Sequence, residues 1–523
     1  EVNVMDTIDV LPEVPSSFWM DSTETTDFPQ LTEDIKVDTA IIGGGIVGIT
    51  TAYLLKQAGL SVAVLDADRI LQGTTAHTTS KLTSQHSIIY SKIKKQMSEE
   101  LARQYSEANQ YAIDMVDRIR QEKGIDCDFV RLPAFTYTES SQYIEQIEEE
   151  VEVARSLGIK ASYQEEIPLP FSVKAAVRFD DQAQFHCLKF LKKLAADIPG
   201  QNSHIFENSK AINIQDGNPL TVVTDSGPKV KASKIVIASH YPFFDGGGFY
   251  FARLYLERSY IIAATIQEDF PEAHFISAED PGRSLRYTPS KYGRLVLFGG
   301  EHHKTGHGTD TNKHYKNLID FANQHYQLDK IYYRWSTHDC MTTDGVPYVG
   351  NLTSRSPHIY VATGFGKWGM SNGIASAKIL SDLITTGDNP WAQVYSPSRF
   401  LTSASALKTF VGMNLSVAEK YISGKLESGE SDVDIRKGEA RIIDIDGQRI
   451  GAYRDAEGTM HMVDTTCTHL GCELSWNDAE KSWDCPCHGS RFTYEGEIVE
   501  GPAINKIQHA QGEPNEVEAR IFS

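Results

Sequence analysis

The chain has 523 residues, 40% of them hydrophobic and 23% charged, with a formal net charge of −20. That length accommodates roughly two to four domains with sizeable cores. The acidic balance argues against nucleic acid or an anionic membrane as a partner, since both attract basic surfaces, and no apolar run reaches the length of a membrane span.

In chain order, residues 1–34 read as an extended arm rich in Asp, Glu, Thr and Pro, anchored by Phe18 and Trp19. Glu1 to Pro15 lack a basic start followed by an apolar stretch, so no signal peptide is expected. Cys127, Cys187 and Cys340 are scattered and read as reduced core thiols; the expectation is a cytoplasmic, bacterial-type protein. A β-branched strand, Val37 to Ile42, then leads into Gly43, Gly44, Gly45, Ile46, Val47 and Gly48, and a helical pattern runs on to Ala58. A second strand, Ser61 to Leu65, ends on Asp66. This is a βαβ dinucleotide unit. Gly43 allows the tight turn, Gly45 admits a pyrophosphate to the backbone, and Gly48 packs helix on strand. Ile46 and Val47 stand at the helix N-terminus, where N–H groups and the dipole favour phosphate. Asp66 lies near the spacing of about 20 residues at which an acid meets ribose hydroxyls.

Helical patterns follow over Glu99–Lys123 and Glu139–Leu157, the acidic stretch Tyr143 to Arg155 reading as a solvated face. Strand-rich segments run over Tyr250–Ile266 and Ser284–Gly299. Asp344 to Gly350, Tyr360 to Gly366 and a helical run from Ser371 to Leu383 complete the large part. Residues 391–434 are a linker region, polar and acidic from Leu426 to Asp434. From about 435 the chain breaks into short alternating segments, such as Ala440–Ile445 and His461–Asp464. This last part holds two paired motifs: Cys467, His469 and Cys472, then Cys485, Cys487, His488 and Ser490.

Each motif offers one thiolate and one imidazole, from Cys467 with His469 and from Cys485 with His488. That is the set a Rieske [2Fe–2S] centre needs, two Cys on one iron and two His on the other. A structural Cys2His2 zinc site is the plainer alternative, but mixed Cys/His loops around Cys485, Pro486, Cys487, His488, Gly489 and Ser490 do not follow zinc spacing. The motifs closely resemble the Rieske family, including the subgroup with a disulfide between the loops, which implies a Cys472–Cys487 bridge. Such a bridge is unusual in a reducing compartment unless the cluster fold buries it. High-potential members place a Ser and a Tyr against the cluster sulfurs; this chain has Ser490 but Phe492 in the Tyr position. The resemblance implies a potential above plant-type ferredoxins and below the highest Rieske centres.

Residues 35–390 resemble the D-amino-acid oxidase, glycine oxidase and sarcosine oxidase-like family of FAD-dependent oxidoreductases. Gly73 to Lys81, with Thr74, Thr75 and His77, follows the second strand as in that family. Lys234 to His240 looks like its returning strand, and Asp344–Gly350 with Gly364 and Gly366 looks like the piece that closes the flavin site. The run Gly73 to Thr78 resembles the loop of dimethylglycine dehydrogenase whose His carries FAD covalently. His77 is therefore a candidate histidyl–flavin link; Ala76 stands where that relative has Trp, and a His packed beside the flavin is the simpler reading. The implied fold is α/β, a Rossmann-like FAD domain with a mixed α+β substrate domain, plus a small all-β Rieske domain. The expected boundaries are 35–95, 165–240 and 330–390 for the FAD domain, 96–164 and 241–329 for the substrate domain, and 435–523 for the Rieske domain.

The implied reaction takes a hydride from the carbon beside an amine nitrogen of a small amine or amino acid, needing orientation more than a dedicated base. Electrons would then pass from flavin through the cluster to an unknown one-electron acceptor. A cluster-fed flavin reductase and a non-metabolic redox relay or sensor are the alternatives. Catalytic candidates are Arg286, Tyr287, Lys367 and Tyr260, with Arg258, His302 and His303 as further polar groups. Lys367, by the flavin loop and so also a cofactor-binding candidate, resembles the family's active-site Lys, in a run one residue shorter.

Overall fold

The computed structural model describes residues 11–308, 310–399, 411–421 apart from 413, 416 and 419, then 435–445 and 448–509. Much of the expected linker, 400–410 and 422–434 included, and the first ten residues of the arm lie outside the described residues. The chain divides into two compact units. One comprises Glu1–Tyr250, Ser259–His302 and Tyr315–Leu407; the other comprises Phe251–Arg258, His303–His314 and Lys408–Ser523.

The first unit is built on two sheets. In the eight-stranded sheet, Ile35–Ile42 lies between Lys229–Ile237 and Val62–Leu65, parallel to both. The order continues outward to Ile359–Thr363 and Tyr348–Asn351 on one side and His204–Phe206 on the other. Parallel strands covered on both faces read as near-continuous apolar runs, and Val62–Leu65 is buried at every position. The helix Ile46–Gln57 is buried on almost every side, as a helix apolar all round must be. Its neighbour on the sheet is the closing helix Gly369–Thr385, whose Gly373 lets Ile46 approach: a Cβ there would lie 3.0 Å from Ile46 Cγ2.

The second sheet has nine strands, in the order Leu328–Thr342, Leu254–Ile266, Gly293–Lys304, Arg283–Ser290, His274–Ser277, Val130–Thr138, Ala175–Gln184 and Lys81–Leu82, with Ala161–Gln164 paired to Ala175–Gln184. Lys81–Leu82, Ala175–Gln184 and Leu328–Thr342 fall in stretches read as FAD-domain pieces, yet they hydrogen-bond in this sheet. Strand membership is decided by distant partners, as in the pairing of Ala175–Gln184 with Val130–Thr138, and local propensity does not encode it.

The long helix Glu99–Lys123 has the ends its sequence predicts. Ser98 Oγ accepts the Leu101 N–H at 3.1 Å, and Gly124 closes the helix in the left-handed region (φ 61°). The acidic helix, Ile144–Ser156, exposes Glu145, Glu148, Glu152 and Arg155 as a solvated face should, with one exception. Glu150 is fully buried and accepts the N–H groups of Ile89, Tyr90 and Ser91 at 2.8–3.0 Å. It caps the helix Tyr90–Gln96 from some 60 residues away, satisfying donors a helix start leaves orphaned.

In the second unit, Ala440–Ile445, Gln448–Arg454 and Met460–Asp464 form one antiparallel sheet. Ser475–Asn477, Ser482–Asp484, Arg491–Thr493 and Ile498–Glu500 form another. A small core of Val463, Leu474, Trp483, Phe492 and Ile507 lies around the cysteines. Among the described residues no helix is long and apolar enough to cross a membrane.

Candidate flavin and cluster sites

The glycine fingerprint is held by close backbone approach. Gly43 sits at φ 105°, and a Cβ on it would lie 2.4 Å from the Ala238 carbonyl oxygen. A Cβ on Gly48 would lie 1.8 Å from the Gly43 oxygen, so the helix rides directly on its own turn. Gly44, outside the three-glycine pattern, is equally constrained: its Cβ would lie 2.4 Å from Ile70 Cγ2. At Gly45 the nearest atom is Thr75 Oγ1 at 3.2 Å, and no Gly45 side chain caps the helix. Thr75 Oγ1 accepts the Ile46 N–H at 3.0 Å. Asp66 takes the Gly44 N–H at 2.7 Å and the Asp68 N–H at 3.0 Å, while burial pushes its carboxyl pKa up. Gly364 and Gly366 are both left-handed, and Gly366 N–H donates to the Cys340 carbonyl at 2.7 Å. A helix start with no side chain at its N-cap, beside side-chain-free turns, fits a dinucleotide pyrophosphate.

The loop after the second strand begins as the short turn Thr74–His77. His77 Nδ1 donates to the Gly73 carbonyl at 2.9 Å. The N-terminal arm grips this loop, a role the sequence did not reveal. Ser17 Oγ donates to the Ala76 carbonyl and Trp19 Nε1 to the Thr78 carbonyl at 2.7 Å. Arg286 Nη1 continues the series, donating to Thr79 and Ser80 carbonyls at 2.8 and 2.6 Å, and its Nε bonds the Tyr287 carbonyl. The guanidinium also lies 5.4 Å from the Trp19 ring centroid. Lys81 follows, buried, its ammonium on the Phe275 carbonyl and Ser284 Oγ. Burial first and the Arg286 charge second push its pKa down to about 7.

The substrate-side candidates separate by exposure. Arg286 is 1% exposed with its donors on backbone carbonyls, Tyr260 is fully buried edge-on to Tyr315, and Tyr287 is 6% exposed under the Arg294 guanidinium. Arg258 belongs to the second unit and is bound to Glu500. His302 Nε2 lies 3.3 Å from Asp280, and His303 stacks on His314. Lys367 keeps 29% of its side chain exposed. Its Nζ lies 3.0 Å from both Asp339 Oδ2 and Ser259 Oγ, and Ser259 Oγ donates to the same Asp339 oxygen at 2.6 Å. Asp339 and Ser259 carried no sequence signal, because they stand on other strands of the large sheet.

The two cysteine–histidine loops are folded alike. Cys467 N–H donates to the Cys472 carbonyl and Gly471 N–H returns to the Cys467 carbonyl, at 2.8 and 2.9 Å. Cys485 N–H donates to Ser490 and Gly489 N–H returns to Cys485, at the same two distances. Gly471 and Gly489 both sit near φ 75°, which favours glycine. Cys472 and Cys487 form the disulfide joining the loops. The sulfurs of Cys472, Cys485 and Cys487 lie within 4.8 Å of one another, but two of them are consumed in that bridge, so Cys485 and Cys467 are the available thiols. Each is buried, and Cys485 donates to Cys467, which lowers the Cys467 pKa to about 7. The rings of His469 and His488 lie 5.1 Å apart at 87°. Burial, then the His469 charge, pushes the His488 pKa down to about 4. The Nδ1 atoms of both rings are buried without a hydrogen-bond partner. Buried polar atoms are normally paired; two neutral imidazole nitrogens beside two thiols fit a Cys2His2 iron–sulfur cluster.

Comparison with known proteins identifies both parts of the chain. The family described as FAD dependent oxidoreductase matches residues 38–383, and the Rieske [2Fe-2S] domain matches residues 428–511. YhfW of Bacillus subtilis (strain 168), named for a Rieske 2Fe-2S iron-sulfur protein, is 43% identical over 497 residues, covering 95% of this chain and 97% of that one. The cytochrome b6-f complex iron-sulfur subunit of Microcystis aeruginosa (strain NIES-843 / IAM M-2473) is 39% identical over 61 residues, 12% of this chain and 34% of that subunit. The fold of glycine oxidase from Geobacillus kaustophilus is similar, with a TM-score of 0.58 at 17% identity over 70% of this chain and 99% of that one. So is that of L-proline dehydrogenase from P. horikoshii, at 0.57 and 18% over 71% and 98%. Glycine fingerprint, clamped loop and paired cluster loops thus have one explanation: the chain belongs to the FAD dependent oxidoreductase family and carries a Rieske [2Fe-2S] domain on the same polypeptide.

Proposed function

We propose that the protein oxidises the C–N bond of a small amine or amino acid and passes the electrons, one at a time, through its cluster to an outside one-electron acceptor. The observation that carries the reading is the pairing, on one chain, of a dinucleotide cradle of this family with a Rieske ligand set. FAD supplies a two-electron hydride acceptor and the cluster a one-electron carrier. The amine loses a hydride and a proton to become an imine, which water then hydrolyses. Support for the substrate class comes from fold neighbours named glycine oxidase, L-proline dehydrogenase and L-amino acid deaminase.

Lys367 is the group assigned to a substrate carboxylate. Asp339 Oδ2 and Ser259 Oγ, each 3.0 Å from its Nζ, fix the direction of the amine. Losing a charged hydrogen bond costs about 1.5–3 kcal/mol, so Lys367→Met should raise KM for a carboxylate substrate roughly 10–150-fold. Mixing the oxidised protein anaerobically with a panel of amines and amino acids tests the function itself. Rapid bleaching of flavin absorbance is the expected result; reduction only by an electron-donor protein would favour the reverse flow or a relay.

His77 is assigned as a packing residue in the flavin loop, so acid precipitation should leave a colourless pellet; retained flavin would establish a covalent link. Phe492 is fully buried and offers the cluster no hydroxyl, whereas Ser490 Oγ bonds the Cys467 sulfur. Phe492→Tyr should therefore raise the cluster midpoint potential, and a redox titration without a rise would count against it.

A further inference from the structure

Two stretches from the flavoprotein part of the sequence, 251–258 and 303–314, belong to the compact unit that holds the cluster loops. They are tied to each other by the Thr305 N–H on the Leu256 carbonyl at 3.1 Å. They are also tied to the cluster module at several points. Arg258 Nη2 donates to Glu500 Oε2 at 2.8 Å, an oxygen that also receives Arg491 Nη1 at 2.9 Å. Thr311 Oγ1 accepts the Ala479 N–H at 2.9 Å, and Asn312 Nδ2 donates to Asp478. Between these anchors the chain runs against the second cluster loop. Gly306 sits at φ 73°, and a Cβ on it would lie 2.6 Å from Pro486 N and 2.7 Å from the Cys485 carbonyl carbon. Only glycine permits both that backbone and that approach.

The next residue makes the contact polar. His307 Nε2 lies 3.2 Å from the Pro486 carbonyl oxygen. An oxygen of this kind only accepts, so Nε2 carries the hydrogen. The Pro486 carbonyl and the Cys487 N–H are the two ends of one peptide group. That N–H, together with the N–H of His488, donates to the Cys485 sulfur. A donor on the carbonyl end polarises the peptide and strengthens its N–H as a donor. Hydrogen bonds to the sulfurs of an iron–sulfur centre favour its reduced, more negative form.

We infer that residues 303–308 form a third loop of the cluster site and that His307, acting through the Pro486–Cys487 peptide, is a positioning residue that raises the cluster's potential. The inference rests on the Rieske reading of the site and is independent of the substrate. On this view the cluster site is incomplete without residues from the flavin oxidoreductase part of the sequence.

The test is a redox titration of the full-length holoprotein, followed by the electron paramagnetic resonance signal of the reduced cluster, for wild type, His307→Met and His307→Gln. The two replacements fill similar space, and only Gln keeps an N–H donor. The expected result is a midpoint shifted negative in His307→Met, accompanied by shifted g values, with His307→Gln close to wild type and the flavin potential the same in all three. A His307→Met midpoint equal to wild type overturns the inference. So does an equal displacement of both variants, which would mark a packing role alone. A wild-type protein with no Rieske-type signal would instead overturn the cluster assignment beneath it.

Discussion

A Cys485→Ser protein is expected to keep its flavin, lose its cluster and lose essentially all turnover with a one-electron acceptor. Cys485 is buried in the small core beside Cys467, Trp483 and Phe492, and no neighbouring thiol can replace it, because Cys472 and Cys487 are joined to each other. A serine hydroxyl at that place is a poor ligand for iron that calls for a thiolate. Ligand binding is also folding energy for a small metal-bound domain, so the second unit should unfold at lower denaturant than in wild type. The first unit carries the dinucleotide cradle on its own sheet, so flavin content should stay near one per chain. Iron analysis, the cluster's resonance signal and flavin absorbance measure the three parts separately. His488→Ala should behave the same way, since it removes one of the two orphaned Nδ1 atoms. Substrate should still bleach the flavin in both variants under anaerobic conditions. Turnover in air unchanged by loss of the cluster would show electrons leaving directly to oxygen and would end the proposed route through the cluster.

The parts legible in the sequence are those written in short, contiguous segments. The glycine turn works because Gly43, Gly45 and Gly48 serve one βαβ unit, and the cluster loops because each brings a Cys and a His within a few residues. What stayed hidden depends on contacts between distant segments. Arg286 is a catalytic candidate by sequence, yet its guanidinium donates to carbonyls about 207 residues earlier in the chain. Lys367 was visible, whereas Ser259, 108 residues away, and Asp339 were not. Glu150 lay in an acidic run that reads as surface, and only folding brings the start of another helix onto its carboxylate. The placement of Ala175–Gln184 in the larger sheet has the same origin: a strand's partners lie elsewhere in the chain, and alternation of apolar residues says only that one face is buried. The arm was anticipated as anchored by Phe18 and Trp19, but its hold on the loop around His77 came through backbone carbonyls, which leave no trace in residue identity.

Asp344→Asn should be the most destabilising single change near the flavin side of the first unit. Asp344 opens the segment that leads into the strand Tyr348–Asn351, and Arg399 grips it with a two-pronged pair, Nε to Oδ2 at 2.7 Å and Nη2 to Oδ1 at 2.8 Å. The same guanidinium donates to the Val346 and Pro347 carbonyls and lies 4.0 Å from the Tyr348 ring centroid. Both partners are largely buried, at 9% and 5% side-chain exposure. Removing one partner of a buried pair strands the other charge, at about 3–5 kcal/mol. Arg399→Lys should recover only part of that loss, because an ammonium cannot reproduce the planar fork. Burial alone would raise the Asp344 pKa; the Arg399 charge and hydrogen bonds outweigh it, and the net shift is downward. A carboxyl depressed in the folded state contributes its stability in full above its unfolded pKa of about 3.9 and loses it as pH falls through the lower folded value. Wild type should therefore lose part of its advantage over Arg399→Met in strong acid and keep all of it at neutral pH. Urea-induced release of flavin fluorescence, measured across pH, reads the effect at the cofactor. Equal release midpoints for wild type and Asp344→Asn at neutral pH would show that the pair does not secure the segment beside the flavin loop.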